Sequence, residues 1–175
     1  MYFIEQTGAS PSLLADVALA YAARSGFHVF PLHSVRDGRC SCGKDCISPA
    51  KHPRVKGGFK AATTDPEVIR AWWAKWPDAN IGIATGRVSG IIVYDIDGDE
   101  GRATLAAARG QGMLPPTPYV ITSRGFHLYY RLLDPESGEI SCSTGGGLDI
   151  RADGGYVVAP PSVHATGHVY RWGKL

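Results

Sequence analysis

Two aspartates one residue apart, Asp95 and Asp97, close an apolar run that begins at Ile91, and they restrict how this stretch can be buried. In an extended strand side chains alternate, so residues i and i+2 share a face, about 6–7 Å apart along the chain. Both carboxylates therefore point one way, while Ile96 points the other, where it can be buried. Like charges held that close repel unless a cation lies between them, and an unpaired buried charge is costly. A divalent metal explains the pair economically, on a strand that is polar on one face at this end.

A chain of 175 residues that is 44% hydrophobic can bury a full core, and its length predicts one domain, 1–175, with room for a small insert. The formal charge of +2 neither demands nor excludes nucleic acid, because a local patch matters more than the total. No apolar run approaches the roughly 20 residues of a bilayer-crossing helix, and Met1 to Gln6 lacks the pattern of a signal peptide. A cytoplasmic protein with no membrane partner is expected. The chain stops at Leu175 soon after a predicted strand, which suits the N-terminal part of a longer protein.

Four cysteines in such a chain point to metal or burial before disulfides. Cys40, Cys42 and Cys46, followed by His52, give Cys-x-Cys-x3-Cys-x5-His, with Gly38 and Gly43 available for tight turns. Three thiolates and an imidazole match a closed, structural zinc site. Arg39, Lys44 and Lys51 suit its net negative charge and would favour phosphate nearby. The alternative is a polar loop with incidental cysteines, and the short Cys40/Cys42 spacing leaves a different ligand set open. Cys142 stands alone and reads as a small buried or loop residue.

Ser10 and Pro11 open a predicted helix with an apolar stripe of Leu13, Leu14, Val17 and Tyr21, closed by Gly26. Phe27 to Leu32 reads as a strand. Residues 36–60 show no hydrophobic periodicity and read as an insert folded around its ion. A second helix runs from Pro66 to Trp76, with Trp72, Trp73 and Trp76 as packing residues, and a third from Glu100 to Arg109. Strands are predicted at Ile81–Thr85, Ile91–Asp95, Tyr119–Thr122, Phe126–Leu132, Leu148–Arg151, Tyr156–Ala159 and Val169–Trp172. The pattern predicts an α+β fold in which a largely antiparallel sheet carries helices on one face.

Two further signatures carry chemistry. In Thr122 to His127, Ser123 and Arg124 supply a hydroxyl and a fixed cation, Gly125 allows a tight turn, and His127 opens a strand, a set suited to an oxyanion such as phosphate. In Gly145 to Arg151, Asp149 sits between Leu148 and Ile150 and so points away from their face, where it can join Asp95 and Asp97. Three carboxylates, a histidine and an arginine make a coherent phosphoryl-transfer site, since two metals about 3.5–4 Å apart activate the attacking oxygen and steady the leaving one. The bland alternative keeps Asp97-Gly98 as a turn, His127 as a satisfied strand histidine and Asp149 as a solvated charge.

Set in order, these stretches resemble the bifunctional primase/polymerase (prim-pol) family of the archaeo-eukaryotic primase superfamily, found in plasmid, phage and prophage replication proteins. The resemblance is carried by Lys51-His-Pro53 to Gly58-Phe-Lys60, Ala62 to Pro66, Ile69 to Trp73, Trp76 to Gly82, Ala84 to Gly86, Gly90 to Gly98, Ser123 to His127, Leu148 to Arg151 and Val158 to Ser162. It implies an archaeo-eukaryotic primase-like fold and a template-directed nucleotidyl transferase in a bacterial or phage-infected cell. DNA template and primer and nucleoside triphosphates would be its partners, with a helicase in cis or in trans.

Asp95, Asp97 and Asp149 match the family's acidic positions for Mg²⁺ or Mn²⁺, and Ser123, His127 and Arg124 match the motif that grips the incoming triphosphate. The family often has Glu where this chain has Asp97, which keeps the charge with a shorter reach. Members can also carry a zinc-binding stem. Template DNA would follow the densest basic run, Lys51, Arg54, Lys56 and Lys60. Tyr129 and Tyr130 alternate, so one at most faces a nucleotide, and His164 and His168 read as turn or strand residues.

Rival readings meet obstacles. Asp95-Ile-Asp97-Gly98 also resembles the strand-ending motif of haloacid dehalogenase-type phosphatases, but Asp99 replaces the usual Thr or Val and no later acidic pair with a preceding lysine follows. A calcium loop fails because Glu100 stands where glycine is needed and Ala106 where a bidentate acid is needed. The phosphate-binding Gly-x4-Gly-Lys-Ser/Thr motif is absent. A non-catalytic nucleic-acid-binding module, using zinc and the basic loop alone, is the remaining alternative.

Overall fold

The computed structural model describes residues 11–133 and 138–174. Helix α1 (Pro11–Ser25) buries Leu14, Val17, Ala18 and Ala22 and ends where Gly26, at φ +68°, donates its N–H to Ala22 O. The capping expected of Ser10 lies outside the described residues. Strands β1 (Val29–Leu32), β2 (Val35–Arg36) and β3 (Arg39–Cys40) follow. Helix α2 (Pro66–Lys75) is capped by Asp65, whose Oδ1 accepts from Glu67 N–H at 2.8 Å. Then come β4 (Asn80–Ala84), β5 (Ile91–Asp97), α3 (Gly98–Gly110), β6 (Tyr119–Ile121), β7 (Gly125–Arg131), β8 (Leu148–Arg151), β9 (Tyr156–Ala159) and β10 (Arg171–Trp172).

The strands divide between two larger sheets, where the alternation pattern predicted one. A three-stranded sheet is ordered β1-β4-β9, a five-stranded sheet β10-β6-β7-β5-β8, and a hairpin pairs β2 with β3; all pairings are antiparallel. Every residue of β1 and β4 is buried, so the small sheet needs cover on both faces. The main core supplies it from α1 and α2 together with Ile91, Val93, Val120 and Tyr129 of the large sheet. The large sheet's opposite face buries Ile96 and Leu128 beneath Leu105 of α3. Trp73 is buried with its Nε1 donating to Ala79 O, a packing role as its helical position predicts.

The base of the insert is pinned by Asp78. Its carboxylate accepts from Ser34 Oγ at 2.6 Å, from Arg36 Nε and Nη2 at 2.6 and 2.7 Å, and from Arg54 Nη1 at 3.3 Å. Arg54 also lies over the Trp76 ring, 5.3 Å from its centre. This corrects the expectation that Arg54 faces DNA, because its side chain is 11% exposed and both its charge and its plane are engaged.

Arg36, with Ser34 and Arg54, holds the Asp78 carboxyl well below its ordinary range, against its burial. A carboxyl lowered in the folded state contributes stability above its unfolded pKa, about 3.9, and loses it as pH falls through the folded value. Asp95 and Asp153 shift the same way. The thermal midpoint is therefore expected to be level near neutrality and to fall below about pH 4, with Asp78→Asn flattening part of the drop. A midpoint in Asp78→Asn that tracks the parent at every pH would contradict this.

Candidate active site and metal cluster

Strand β5 lies between β7 and β8, with Asp95 directly opposite His127 on one side and Asp149 on the other. Directly opposed residues of an antiparallel pair point to the same face, with Cβ atoms about 4.5–5.5 Å apart. Asp97, two residues further on and opposite Gly125, shares that face. The four side chains therefore form one row with an extension, while Ile96, Leu148 and Ile150 take the other face, with Ile96 fully buried there.

Charges in the row are paired. His127 Nε2 lies 3.4 Å from Asp95 Oδ1; Arg151 Nη2 lies 2.7 Å from Asp149 Oδ2 and 3.6 Å from Asp95 Oδ2; Arg124 pairs with Asp97. Burial favours the neutral acid at Asp95, but His127, Arg151 and Lys51 outweigh it and hold the carboxyl below its ordinary range. His127 is buried, and its Nδ1 has no hydrogen-bond partner among the described residues. The Tyr170 ring lies 5.9 Å from the imidazole, and burial with the charges of Asp95 and Asp97 pushes its phenol up.

Three carboxylates on one face, one of them kept ionised despite its burial, are hard oxygen donors that suit Mg²⁺ or Mn²⁺. They are not gathered into a compact ligand set, since Arg151 and Arg124 lie between and beside them. Arg151 was not singled out as a site residue from sequence, although its spacing of two from Asp149 puts it on the same face. Tyr170 had no local signal.

Glycines bring β8 alongside β5. Gly147, at φ +67°, accepts from Asp97 N–H at 2.8 Å, and Thr104 Oγ1 donates to Gly146 O at 2.9 Å. A Cβ on Gly147 would overlap the Gly101 backbone nitrogen and lie 2.8 Å from Asp97 O. The glycine loop is thus seated on the first turn of α3. Gly147→Ala, combining left-handed strain with overpacking, is expected to cost about 2–4 kcal/mol, a fall in Tm of about 5–15 °C. Gly110→Ala, where an added Cβ meets nothing, should leave Tm within about 2 °C. Equal midpoints for the two variants would refute the close approach.

The turn before β7 is folded by Thr122, whose Oγ1 accepts from Gly125 N–H at 2.9 Å and Arg124 N–H at 3.3 Å. It presents half-buried Ser123 and exposed Arg124 beside Asp97. Thr122 is a further residue that the sequence reading did not single out, though a hydroxyl two residues before a turn is a recognisable local signal.

Cys40, Cys42, Cys46 and His52 form the second cluster, with all four donor atoms within 4.8 Å of one another. Among the described residues it is the one group of His, Cys, Asp and Glu donors that converges this closely. The β2–β3 hairpin delivers Cys40, whose Sγ lies 3.3 Å from His52 Nε2 and accepts from Ala50 N–H. The exit of the insert joins the edge of β1 through His33 N–H to His52 O and Arg54 N–H to Pro31 O, both at 2.9 Å. The cluster can hold a zinc ion. Cys142 is exposed and outside it, its sulfur accepting from Ala152 N–H. Lys56 and Lys60 are exposed, whereas Lys51 is half-buried and acts on Asp95.

No helix among the described residues is long and apolar enough to cross a membrane. A comparison with curated proteins finds no match. The family model for the bifunctional DNA primase/polymerase N-terminal domain matches residues 18–174, which include both clusters and the whole of the large sheet. That match supports a primase/polymerase-type nucleotidyl transferase acting on DNA and nucleotides. With nearly its full length accounted for, the chain belongs to the bifunctional DNA primase/polymerase family.

Proposed function

We propose that this domain is a template-directed nucleotidyl transferase, a DNA polymerase and/or primase, using a metal site built on Asp95, Asp97 and Asp149. The observation that carries the reading is the row of Asp149, Asp95 and His127 across three adjacent strands, with Asp97 on the same face. When bound to those carboxylates, Mg²⁺ or Mn²⁺ supplies a lowered pKa for the attacking 3′-hydroxyl and offsets charge on the α-phosphate and pyrophosphate.

The chain's own groups do the rest. Asp95 is ready as an anion because its neighbours keep it ionised. Arg151 balances Asp149 and Asp95, so the acidic row does not repel the triphosphate unopposed. Ser123 and Arg124, at the turn before β7, grip phosphate oxygens, and His127 orients the substrate from the buried end of the row. No covalent enzyme intermediate is required.

Template DNA follows the insert. Residues 36–60 carry seven basic and two acidic residues, whereas the remainder carries eleven basic and fourteen acidic. This asymmetry favours the exposed Lys56 and Lys60 as template phosphate contacts, with zinc supporting the loop that bears them. The phosphatase alternative is disfavoured because β5 is antiparallel to both neighbours and lacks the parallel strand–helix units whose carboxyl ends form such sites.

A gel assay with labelled template, separate dNTP and NTP pools and Mg²⁺ or Mn²⁺, with and without primer, tests the reading. Metal-dependent elongation is expected. Release of phosphate without elongation would favour the phosphatase, and DNA binding without either would favour the passive module.

A further inference from the structure

Asn80 opens β4 and is only 2% exposed, yet its side chain is fully engaged with backbone from two distant segments. Its Nδ2 donates to Ala50 O at 3.0 Å and to Val163 O at 2.8 Å, and its Oδ1 accepts from Val163 N–H at 2.9 Å. A single buried amide thus fastens the zinc-cluster insert to the loop that follows β9. The residues immediately after the two clamped positions are Lys51 and His164.

Both are held in place from other sides. The Tyr156 hydroxyl donates to Lys51 O at 3.2 Å, and His164 N–H donates to His168 O at 2.8 Å. His164 Nδ1 accepts from Thr166 N–H at 3.2 Å, so a neutral ring carries its proton on Nε2. Its ring lies 6.3 Å from Tyr170, which borders His127. The half-buried Lys51 forms no ion pair with a carboxylate among the described residues, while its charge acts on both Asp95 and His164. Burial, with Lys51 and Arg124, holds the His164 imidazole below its ordinary pKa, which makes it a neutral donor.

A nucleoside triphosphate placed on this face meets three carboxylates; Arg151 is paired with Asp149 and Asp95, and Arg124, which grips phosphate oxygens, also pairs with Asp97. Beyond Arg124, a further cation that forms no ion pair with the acidic row suits the terminal phosphates. A lysine ammonium is a compact charge well suited to them.

We propose that Asn80 positions Lys51 and His164 as a phosphate-binding wall beside the acidic row, which takes the terminal phosphates of the incoming nucleoside triphosphate. The proposal rests on the nucleotidyl-transfer reading above. It gives Lys51 a nucleotide contact in place of a template contact, and makes Asn80 a positioning residue that ties the insert to substrate affinity.

The test is equilibrium binding of a non-hydrolysable deoxynucleoside triphosphate analogue and of the matching monophosphate, in Mg²⁺, alongside binding of a primer–template duplex. Lys51→Met is expected to weaken triphosphate binding about tenfold and monophosphate binding less than about twofold, with duplex affinity kept. His164→Ala should act in the same direction. Asn80→Ala should raise the KM for dNTP more than it lowers kcat, with zinc content retained. An unchanged preference for triphosphate over monophosphate in Lys51→Met, or a loss confined to duplex affinity, overturns the wall. If the parent protein binds no triphosphate at all, the nucleotidyl-transfer reading falls and the wall with it, whereas intact parent binding with an insensitive Lys51→Met removes only the wall.

Discussion

Replacing Asp95 with asparagine is expected to reduce metal-dependent primer extension by about 10³-fold or more while fold and duplex affinity are kept. Removing one hydrogen-bond donor that stabilises a transition state already costs about 10²–10³-fold, and a carboxylate that both binds metal and organises its neighbours should cost more. Asp95 has His127 opposite it on one strand and Asp149 on the other, so its charge is the hinge of the row. The amide keeps the shape of the carboxylate, and Arg151 retains Asp149 at 2.7 Å, so the folding penalty should stay near 1 kcal/mol. Asp97→Asn and Asp149→Asn should each lose about 10²-fold or more by the same reasoning. Extension by Asp95→Asn at the parent rate, measured with Mg²⁺ and Mn²⁺ in the gel assay, would rule out the assigned role.

The second large effect concerns the insert. Of residues 36–60 only Cys40 and Ala50 are buried, so this segment has almost no apolar core of its own, and Ile47 is fully exposed. A metal held by the cluster would replace that core, since structural zinc sites can supply most of the folding free energy of such loops. Purified protein should carry close to one zinc per chain by elemental analysis, and Cys46→Ser should carry almost none. Limited proteolysis should then cut Cys46→Ser within 36–60 while sparing the two-sheet core, whose burial does not depend on the insert. Because Lys51 adjoins the ligand His52, the variant should also bind triphosphate less tightly. A parent protein that is free of zinc and whose insert resists protease would end the assignment.

Local signals explain most of what could be read in advance. Helix α1 ends at Gly26 and α2 begins at Asp65 and Pro66 because a left-handed glycine and a capping carboxylate act within a few residues of the backbone they satisfy. The convergence of Cys40, Cys42, Cys46 and His52, which could hold a zinc, was legible because their spacing is short enough for one loop to bring four donors together. Arg54 misled for the same local reason. Its place in a basic run suggested solvent and phosphate, whereas Asp78 and Trp76 claim it from an element that the run does not contain. The division into two sheets was hidden as well, because apolar strands of a sheet covered on both faces lack the alternation that marks sides.

The sequence by itself determined which face each acid takes, because the alternation of side chains along a strand is a property of the local backbone. It could not decide which strands become neighbours. Only the tertiary structure set Asp149 opposite Asp95 and tied Ala50 to Val163, since those meetings depend on the close approach of Gly147 to Gly101 and on the buried amide of Asn80. Contacts between segments far apart in the chain are selected by the packing of the whole molecule, which no stretch of residues encodes alone.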